Sequence, residues 1–278
     1  MTTARVLLTA AAARLRAAGV ASSRVDAELL LAHCLGVDRS RLPLVDAVPA
    51  AAETRFAAAL ARRVRREPLQ HILGRAPFRH VELAVGPGVF IPRPETELLV
   101  DAVLPTLRAA DAPVAVDLCA GSGALALAVA DEVPGSRGYA VERSAAALHW
   151  LRRNTAGTGV EVVAADVRDP ALLTGLRSTA DAVLCNPPYV PAAVPVEPEV
   201  RADPAEAVFA GADGLELMPA VLARAAELLR PGGVVAIEHD DTQGESLPHL
   251  LAVHGAWRDI IAHRDLAGLA RYVTAMRS

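Results

Sequence analysis

The chain contains 278 residues and carries a formal net charge of −4 at pH 7. This length exceeds that of a usual single domain, so we expect one large domain and one small one. The acidic balance argues against a protein that binds DNA through a broad basic surface. All 28 basic residues are arginine, and the lack of lysine excludes Schiff-base chemistry and a Walker-type phosphate site.

The composition fits a soluble globular protein, since hydrophobic residues make up 53% of the chain and charged ones 22%. The cysteines Cys34, Cys119 and Cys185 lie in apolar surroundings, so we expect buried thiols rather than a disulfide or a metal site. The eight histidines show no spacing such as HExxH, and we expect no metal. No apolar run approaches the ~18–20 residues that cross a bilayer, and we expect a cytoplasmic protein.

The first 92 residues divide into a helical part and a hairpin. Leucine and alanine recur at helical spacing over three stretches, residues 3–18, 24–35 and 53–66. Farther along, Val81, Leu83 and Val85 alternate before a Gly-Pro-Gly turn, a pattern typical of a β-hairpin. We therefore predict a helical domain over residues 1–75 and a hairpin linker over residues 76–92.

From Pro113 onward, short apolar runs alternate with helical patterns. The runs predict strands over residues 114–118, 138–142, 160–166, 181–186, 234–239, 257–263 and 271–276. The helical patterns cover residues 123–132, 145–156 and 216–229. This alternation predicts an α/β fold with a seven-stranded, mostly parallel sheet, within a domain over residues 93–278. Ligands of such sheets bind outside the carboxyl ends of the strands.

Glycines and acidic residues follow three successive strands. The first strand leads into Asp117-Leu118-Cys119-Ala120-Gly121-Ser122-Gly123, whose glycines let a ligand approach the backbone closely. The second strand ends in Glu142, where a carboxylate can accept hydrogen bonds from ribose hydroxyls. The third ends in Asp166, which is placed to accept a hydrogen bond from an adenine amino group. Together these strand ends predict an adenosine-binding site.

The glycine pattern on its own fits two cofactors. Gly121-Ser122-Gly123-Ala124-Leu125-Ala126 also satisfies GxGxx(G/A), the dinucleotide fingerprint, so an NAD enzyme stays open at this point. Asp117 favours S-adenosylmethionine, because a carboxylate suits the ammonium group of that cofactor and is poorly suited to a pyrophosphate.

The fourth strand ends in Asn186-Pro187-Pro188-Tyr189, which favours methyl transfer to a conjugated nitrogen. Such a nitrogen is a poor nucleophile because its lone pair is delocalised. Two acceptors that bind its N–H bonds can turn the lone pair toward a methyl donor, and the Asn186 side-chain oxygen and the Pro187 carbonyl suit this role. The prolines stiffen the loop, and the Tyr189 ring can lie against the planar acceptor group. The alternative is an ordinary turn with a packed tyrosine.

The NPPY tetrapeptide occurs in adenine-N6 DNA methyltransferases and in the HemK-type family of protein-(glutamine-N5) methyltransferases. Further stretches of the chain resemble the second family in order, and they cover about residues 67–278. They are Glu67-Pro68-Leu69-Gln70-His71-Ile72-Leu73-Gly74, Ile91-Pro92-Arg93-Pro94-Glu95-Thr96-Glu97, residues 203–215, Glu238-His239 with Gln243-Gly244, and Arg264-Asp265-Leu266-Ala267-Gly268.

This resemblance implies a Rossmann-like fold of the S-adenosylmethionine-dependent methyltransferases. It assigns the cofactor to Cys119–Gly123, Glu142, the Asp166-Val167 region and Asn186, and the acceptor glutamine to Asn186–Tyr189. The family's substrates are class I peptide chain release factors, which present the glutamine in a Gly-Gly-Gln loop. The helical domain would then bind the release factor beyond that loop, and we expect a monomer that does not bind DNA. The chain departs from the family at Cys119, where the family has glycine.

Two other functions are compatible with parts of this pattern. An adenine-N6 nucleic-acid methyltransferase should carry a target-recognition domain, basic surfaces and aromatic platforms for a flipped base, whereas aromatic residues make up only 3% of this chain. A pseudo-enzyme would bind the cofactor or a partner without turnover, and the intact NPPY, Glu142 and Asp166 argue against it.

Three further groups of residues have two interpretations each. The basic run Arg62-Arg63-Val64-Arg65-Arg66 is expected to be a solvated helix face, or else a contact for an acidic release-factor surface or for RNA. Arg93 and Glu95 either cap the following helix or line the pocket. Glu238 and His239 are either a supporting pair behind the site or ordinary polar residues at a strand end.

Overall fold

The computed structural model describes residues 2–278 and divides into two units. The first, here called the helical unit, ends at Arg75 and also includes Val196–Ala202. The second, here called the sheet unit, consists of Ala76–Pro195 and Asp203–Ser278. The short segment 196–202 therefore belongs with the helices although it lies far along the chain.

The helical unit contains α1 (Ala4–Ala17), α2 (Ser23–Leu35), α3 (Ala50–Val64) and α4 (Leu69–Leu73). Helix α2 ends because Gly36 adopts a left-handed conformation with φ of 67°. Helix α3 begins three residues before the predicted start, directly after Pro49, whose side chain cannot act as a conventional cap. Leucine and alanine from α1, α2 and α3 form the core, which includes Leu8, Leu15, Leu30, Leu31 and Leu60.

The basic run at the end of α3 forms ion pairs rather than a solvated face. The Arg63 side chain is buried, and it donates to Asp26 Oδ2 and to Glu199 Oε1, each at 2.7 Å. Arg66 donates to both oxygens of Glu199 at 2.6 Å, and Arg65 remains exposed. Burial raises the pKa of Glu199, but the hydrogen bonds from Arg66 and Arg63 outweigh it and hold the pKa at about 2. Segment 196–202 is thus bound to the helical unit by charge.

Two β-sheets follow the helical unit in the chain. Strands β1 (Arg75–Phe78) and β2 (Val81–Ala84) form the hairpin, and the large sheet has the order β5-β4-β3-β6-β7-β9-β8. Its strands are β3 (Val114–Leu118), β4 (Arg137–Glu142), β5 (Val160–Ala164), β6 (Ala180–Cys185), β7 (Leu229–Glu238), β8 (Trp257–Arg264) and β9 (Ala270–Arg277). Strands β3 to β7 pair in parallel, and β9 is antiparallel to both neighbours. The predicted seven-stranded, mostly parallel sheet is confirmed.

Helices cover both faces of the large sheet. They are α5 (Glu97–Arg108), α6 (Ala124–Glu132), α7 (Ala145–Thr155), α9 (Met218–Leu228) and α10 (Ser246–His254), and the short helix α8 (Ala205–Val208) lies between β6 and α9 in the chain. One apolar core contains buried residues of α5, α6 and α7, and the other contains buried residues of α9 and α10. The β1–β2 hairpin belongs to the first of these cores, because Phe78 and Leu83 are buried in it. Among the described residues, no helix is long and apolar enough to cross a membrane.

The strand order creates a crevice at one edge of the large sheet. From β3 the chain adds β4 and β5 on one side and then returns to place β6 on the other side of β3. Loops that leave the carboxyl ends of β3 and β6 therefore diverge, and ligands bind at such a switch point. The residues that follow β3, β4 and β6 are those with the predicted chemistry.

The first prediction concerns the buried cation of the helical unit. Replacing it in Arg63→Met leaves Asp26 and Glu199 without their shared partner, and breaking a buried ion pair typically costs about 3–5 kcal/mol. Urea unfolding followed by circular dichroism measures the effect. Arg65→Met removes an exposed arginine from the same run and is expected to change stability little. Equal effects of the two variants would show that Arg63 is not held by this network.

Candidate active site

A cleft opens at the carboxyl ends of β3, β4 and β6. Residues from the predicted adenosine site line it: Asp117, Cys119, Ala120, Gly121, Ser122, Glu142, Asp166 and Val167. Asn186 and Pro188 of the NPPY tetrapeptide line the same cleft, whereas Gly123, Pro187 and Tyr189 lie outside its lining. The two halves of the predicted site therefore share one cavity.

The loop between β3 and α6 has backbone conformations that favour glycine. Gly121 and Gly123 have φ of 56° and 90°, and a Cβ on Gly123 would lie 2.7 Å from Leu151 Cδ1. Cys119 has φ of 65°, a left-handed conformation that is unfavourable for a residue with a Cβ. This explains why glycine suits the position, and the half-buried Cys119 side chain differs from the buried thiol expected from the sequence.

Asp117, at the carboxyl-terminal part of β3, is a buried carboxyl group that faces the cleft. Its Oδ2 accepts a hydrogen bond from Ala126 N at 3.2 Å, and its Oδ1 has no hydrogen-bond partner among the described residues. Burial raises the pKa of Asp117 to about 8; the Ala126 N–H opposes this shift and the negative charge of Glu142 adds to it. A cation at Oδ1 would relieve both the lost hydration and the repulsion.

Glu142 is fixed by backbone groups at the end of β4. Its Oε2 accepts from Gly121 N at 2.9 Å, and its Oε1 accepts from Arg143 N at 2.8 Å and Ser144 N at 2.7 Å. The carboxylate is thereby held between the glycine loop and the start of α7. Since each carboxylate oxygen can accept two hydrogen bonds, Oε2 retains a free acceptor position toward the cleft.

Asp166 lies two residues beyond the end of β5 rather than within the strand, because β5 ends at Ala164. Its Oδ1 accepts from Arg168 N at 2.8 Å, and the Arg143 guanidinium lies 3.5 Å from its Oδ2. The local turn therefore fixes the direction of this carboxylate. The side chain is 34% exposed, and Asp166 lines the cleft.

The NPPY tetrapeptide is held by hydrogen bonds from distant parts of the chain. Asn186 Nδ2 donates to Thr96 Oγ1 at 3.0 Å, and the Tyr189 hydroxyl donates to Glu238 Oε1 at 2.8 Å. Pro187 is buried. Burial raises the pKa of Tyr189 well above its usual value, and the Glu238 carboxyl group raises it further. The phenol therefore stays protonated and acts as a hydrogen-bond donor.

Gln243 and Gly214 fix the backbone of the same loop. Gln243 Nε2 donates to Tyr189 O and to Asp213 O, each at 2.9 Å, and its Oε1 accepts from Asp240 N at 3.0 Å. Gly214 has φ of 75°, and a Cβ there would lie 1.9 Å from Tyr189 O. Only glycine at this position allows the two loops to approach so closely.

A second wall of the cleft comes from residues that the sequence analysis did not assign to the site. They are Gly88, Val89, Phe90, Pro92, Thr96, Arg143, Ser144, Pro204, Glu206 and Ala207. Asp203 connects the stretch before α8 with the stretch before α5, since its oxygens accept hydrogen bonds from Ile91 N at 3.2 Å and from Arg93 at 2.5 Å. Burial raises the pKa of Asp203 to about 6 despite the charge of Arg93. The family signatures contain Pro92, Thr96, Pro204, Glu206 and Ala207, whereas no sequence signal marked Gly88, Val89, Phe90, Arg143 and Ser144.

The contacts of Arg93, Glu95, Glu238 and His239 decide between the two interpretations that the sequence allowed for them. Arg93 pairs with Asp203, and Glu95 is exposed in the turn before α5; neither lines the cleft. Glu238 contacts Tyr189, whereas His239 Nδ1 lies 2.7 Å from Asp240 O. Glu238 and His239 therefore do not form a pair, and only Glu238 reaches the NPPY tetrapeptide.

The second prediction follows from the contact between Gly214 and Tyr189. In Gly214→Ala the Cβ displaces the Tyr189 carbonyl. Because a misplacement of about 1 Å can cost roughly 100-fold in rate, we expect kcat for the methyl transfer that the sequence predicts to fall by about that factor. Gly255→Ala is a matched control, since Gly255 also has φ of 75° but a Cβ added to it would meet no atom within 4 Å. We expect the control to lose about 1–2 kcal/mol of stability and keep its activity. Equal loss of activity in both variants would mean that backbone strain at a positive φ causes the loss, and not the overlap of the added Cβ with Tyr189 O.

Comparison with known proteins extends over the whole chain. The PrmC N-terminal domain family matches residues 6–74, and the Methyltransferase small domain family matches residues 82–201. A release factor glutamine methyltransferase of Mycolicibacterium smegmatis is 50% identical over 100% of this chain and 99% of its own length. One of Streptomyces coelicolor is 48% identical over 95% of each chain.

A solved structure shares the fold at low sequence identity. The hMettl16 catalytic domain, in complex with the MAT2A 3'UTR hairpin 6, has a TM-score of 0.56 and 16% identity, over 78% of this chain and 81% of that chain. This likeness supports the methyltransferase fold alone. The full-length relatives decide the family, and the chain belongs to the release factor glutamine methyltransferases.

Proposed function

We propose that this protein transfers a methyl group from S-adenosylmethionine to the side-chain amide nitrogen, N5, of the glutamine in the Gly-Gly-Gln motif of class I peptide chain release factors. The observation that carries the proposal is the shared cleft, in which Asn186 and Pro188 lie together with Asp117 and Glu142. The names of the relatives at 50% and 48% identity support the same acceptor.

The residues of the cleft fit the proposed cofactor. When bound, S-adenosylmethionine supplies the methyl group from a positively charged sulfonium. The unpartnered Oδ1 of Asp117 suits its ammonium group, because a buried carboxyl group without a partner favours a cation. Glu142 would accept hydrogen bonds from the ribose hydroxyls, and Asp166 with Val167 would bind the adenine. The backbone of Cys119–Gly123 would approach the cofactor where its glycines have no Cβ.

The NPPY tetrapeptide is suited to an amide acceptor. Asn186 Oδ1 and the Pro187 carbonyl accept hydrogen bonds from the two N–H groups of the glutamine amide. These bonds turn the nitrogen lone pair toward the methyl group. Pro187 and Pro188 restrict the backbone that carries this carbonyl. The Tyr189 ring lies against the planar amide and excludes water. The nitrogen would gain the methyl group as the bond from that carbon to the sulfonium sulfur breaks and its electron pair stays on sulfur. One amide proton would then pass to solvent water, so orientation matters more than a strong general base.

The proposed substrate also fits the shape of the site. Two glycines before the acceptor glutamine carry no side chains, so the loop can enter a narrow cleft. The helical unit would bind the release factor outside that loop. We further propose that the protein acts as a monomer in the cytoplasm and does not bind DNA, in keeping with its net charge of −4.

The third prediction tests the acceptor directly. The purified protein, S-adenosylmethionine and a class I release factor should give one added methyl on the Gly-Gly-Gln glutamine, read by peptide mass spectrometry. Asn186→Ala removes one of the two acceptors and should reduce the rate by about 100-fold or more. A release factor with glutamine→alanine at this position controls for methylation elsewhere.

The same experiment separates the acceptors. An adenine-containing oligonucleotide is incubated in parallel, and methylation of adenine instead of glutamine would favour the adenine-N6 function. Calorimetry measures cofactor binding to each variant. Cofactor binding without methylation of either substrate would contradict the proposed activity and favour a pseudo-enzyme.

The fourth prediction concerns the pH dependence of cofactor binding. Since the pKa of Asp117 is about 8 in the free protein, the carboxyl group is mostly protonated at neutral pH. An ammonium beside Oδ1 favours the ionised form, so binding releases a proton and affinity rises with pH, by at most about tenfold per pH unit. The cofactor's own α-amino group, with an ordinary pKa of about 7.7–8.0, loses its charge at higher pH. We therefore expect the affinity to be greatest near pH 8.

Calorimetry in buffers of different ionisation enthalpy measures both the affinity and the proton release. In Asp117→Asn the group cannot titrate, so binding should be weaker and its rise with pH below 8 should disappear. Glu161→Gln removes an exposed acid of β5 and should leave the pH profile unchanged. A flat profile in the unsubstituted protein would show that Asp117 does not face the ammonium group.

A further inference from the structure

We propose that Thr96 is a positioning residue that sets the direction of the Asn186 amide, and that Glu238 fixes the direction of the Thr96 hydroxyl. This inference rests on the proposed function, because it concerns how Asn186 is presented to the glutamine amide. Thr96 lies in the stretch before α5, about 90 residues from Asn186 in the chain. It is 3% exposed and lines the cleft beside Asn186.

In the hydrogen bond between Thr96 and Asn186, the asparagine amide is the donor. Asn186 Nδ2 lies 3.0 Å from Thr96 Oγ1, and an amide NH2 group can only donate. The hydroxyl oxygen of Thr96 is therefore the acceptor. With Nδ2 committed to Thr96, the Oδ1 of Asn186 is left to accept from the substrate, as the proposed mechanism requires.

The direction of the Thr96 hydroxyl hydrogen also matters. A hydroxyl can also donate, and a Thr96 hydrogen that pointed at Asn186 would favour the flipped amide. The flipped amide would present NH2 to a glutamine NH2, so two donors would face each other. The Thr96 hydrogen must therefore be directed elsewhere.

The buried carboxyl group of Glu238 offers an acceptor for the Thr96 hydrogen. Glu238 is 1% exposed, its Oε1 accepts from the Tyr189 hydroxyl at 2.8 Å, and its Oε2 has no partner within hydrogen-bond geometry among the described residues. Burial raises the pKa of Glu238, while the hydroxyls of Thr96 and Tyr189 and the charge of Arg271 lower it and Glu95 raises it. Glu238 Oε1 thus orients the Tyr189 hydroxyl, and the buried, unpartnered Oε2 is the acceptor that we assign to the Thr96 hydrogen. In this assignment one carboxyl group orients both the asparagine and the tyrosine of NPPY.

The test replaces the Thr96 hydroxyl without changing the shape of the side chain. In Thr96→Val the Asn186 amide loses its partner, and we expect kcat to fall by about 10- to 100-fold while KM for the release factor changes little. Thr96→Ser keeps the hydroxyl and should restore kcat to near the original value. Thr274→Val is the matched control, since Thr274 is a buried threonine of β9 whose hydroxyl contacts His263 instead.

Glu238→Gln tests the group behind Thr96. The amide offers one acceptor and one donor to two hydroxyls, so one of them loses its acceptor and kcat should fall. In the Thr96→Val/Glu238→Gln double variant the losses should multiply only in part, because Glu238 acts on Asn186 through Thr96 whereas its contact with Tyr189 does not depend on Thr96. Fully multiplicative losses, or equal kcat in Thr96→Val and Thr96→Ser, would overturn the proposal.

A readout on the free protein keeps this test separate from the proposed function. The side-chain NH2 signal of Asn186 in ¹⁵N NMR, assigned by its loss in Asn186→Asp, should exchange slowly with water in the unsubstituted protein and in Thr96→Ser. It should exchange faster in Thr96→Val. If the NMR result holds while no glutamine is methylated, the proposed function fails and the positioning role stands; unchanged exchange in Thr96→Val would refute the positioning role whatever the substrate.

Discussion

The carboxyl ends of parallel strands lie at one edge of a sheet, and the active cleft depends on this constraint. Strand β3 lies between β4 and β6, so residues that follow three separate strands are brought to one crevice. Loop residues can then vary in chemistry while the strands fix their positions.

Two buried carboxyl groups support the site: Asp117 of β3 lines the crevice, and Glu238 of β7 accepts a hydrogen bond from the Tyr189 hydroxyl. Burial raises the pKa of each, which means that the folded protein without a ligand disfavours their ionised forms. A sequence selected for stability alone would place apolar residues at these positions. Their presence is best explained by what they orient or attract: a cation at Asp117, and two hydroxyl hydrogens at Glu238.

The sequence was sufficient to predict those parts of the site that follow directly from strand ends. Asp117, Glu142 and the NPPY tetrapeptide each come at or just after a strand, so periodicity and strand order place them together. Thr96, Gln243 and Gly214 could not be found in this way, because each reaches the NPPY tetrapeptide from a different stretch of chain. Arg63 shows the same limit in the helical unit, since its partner Glu199 is 136 residues away. Helical spacing identifies a charged run, but it does not show whether an acidic residue far along the chain forms ion pairs with that run.

Cys119 shows how firmly the sheet sets the backbone of the site. Its left-handed φ of 65° is a conformation that costs a residue with a Cβ about 1–2 kcal/mol, and the resembling family has glycine there. The residues on either side are fixed by the sheet, since Leu118 pairs with Cys185 and Ala120 N donates to Val141 O at 2.8 Å. The turn between them must therefore keep its shape whichever residue occupies it. The glycine loop obtains its geometry from strand pairing, and a glycine at position 119 would reduce strain without being needed to create the loop.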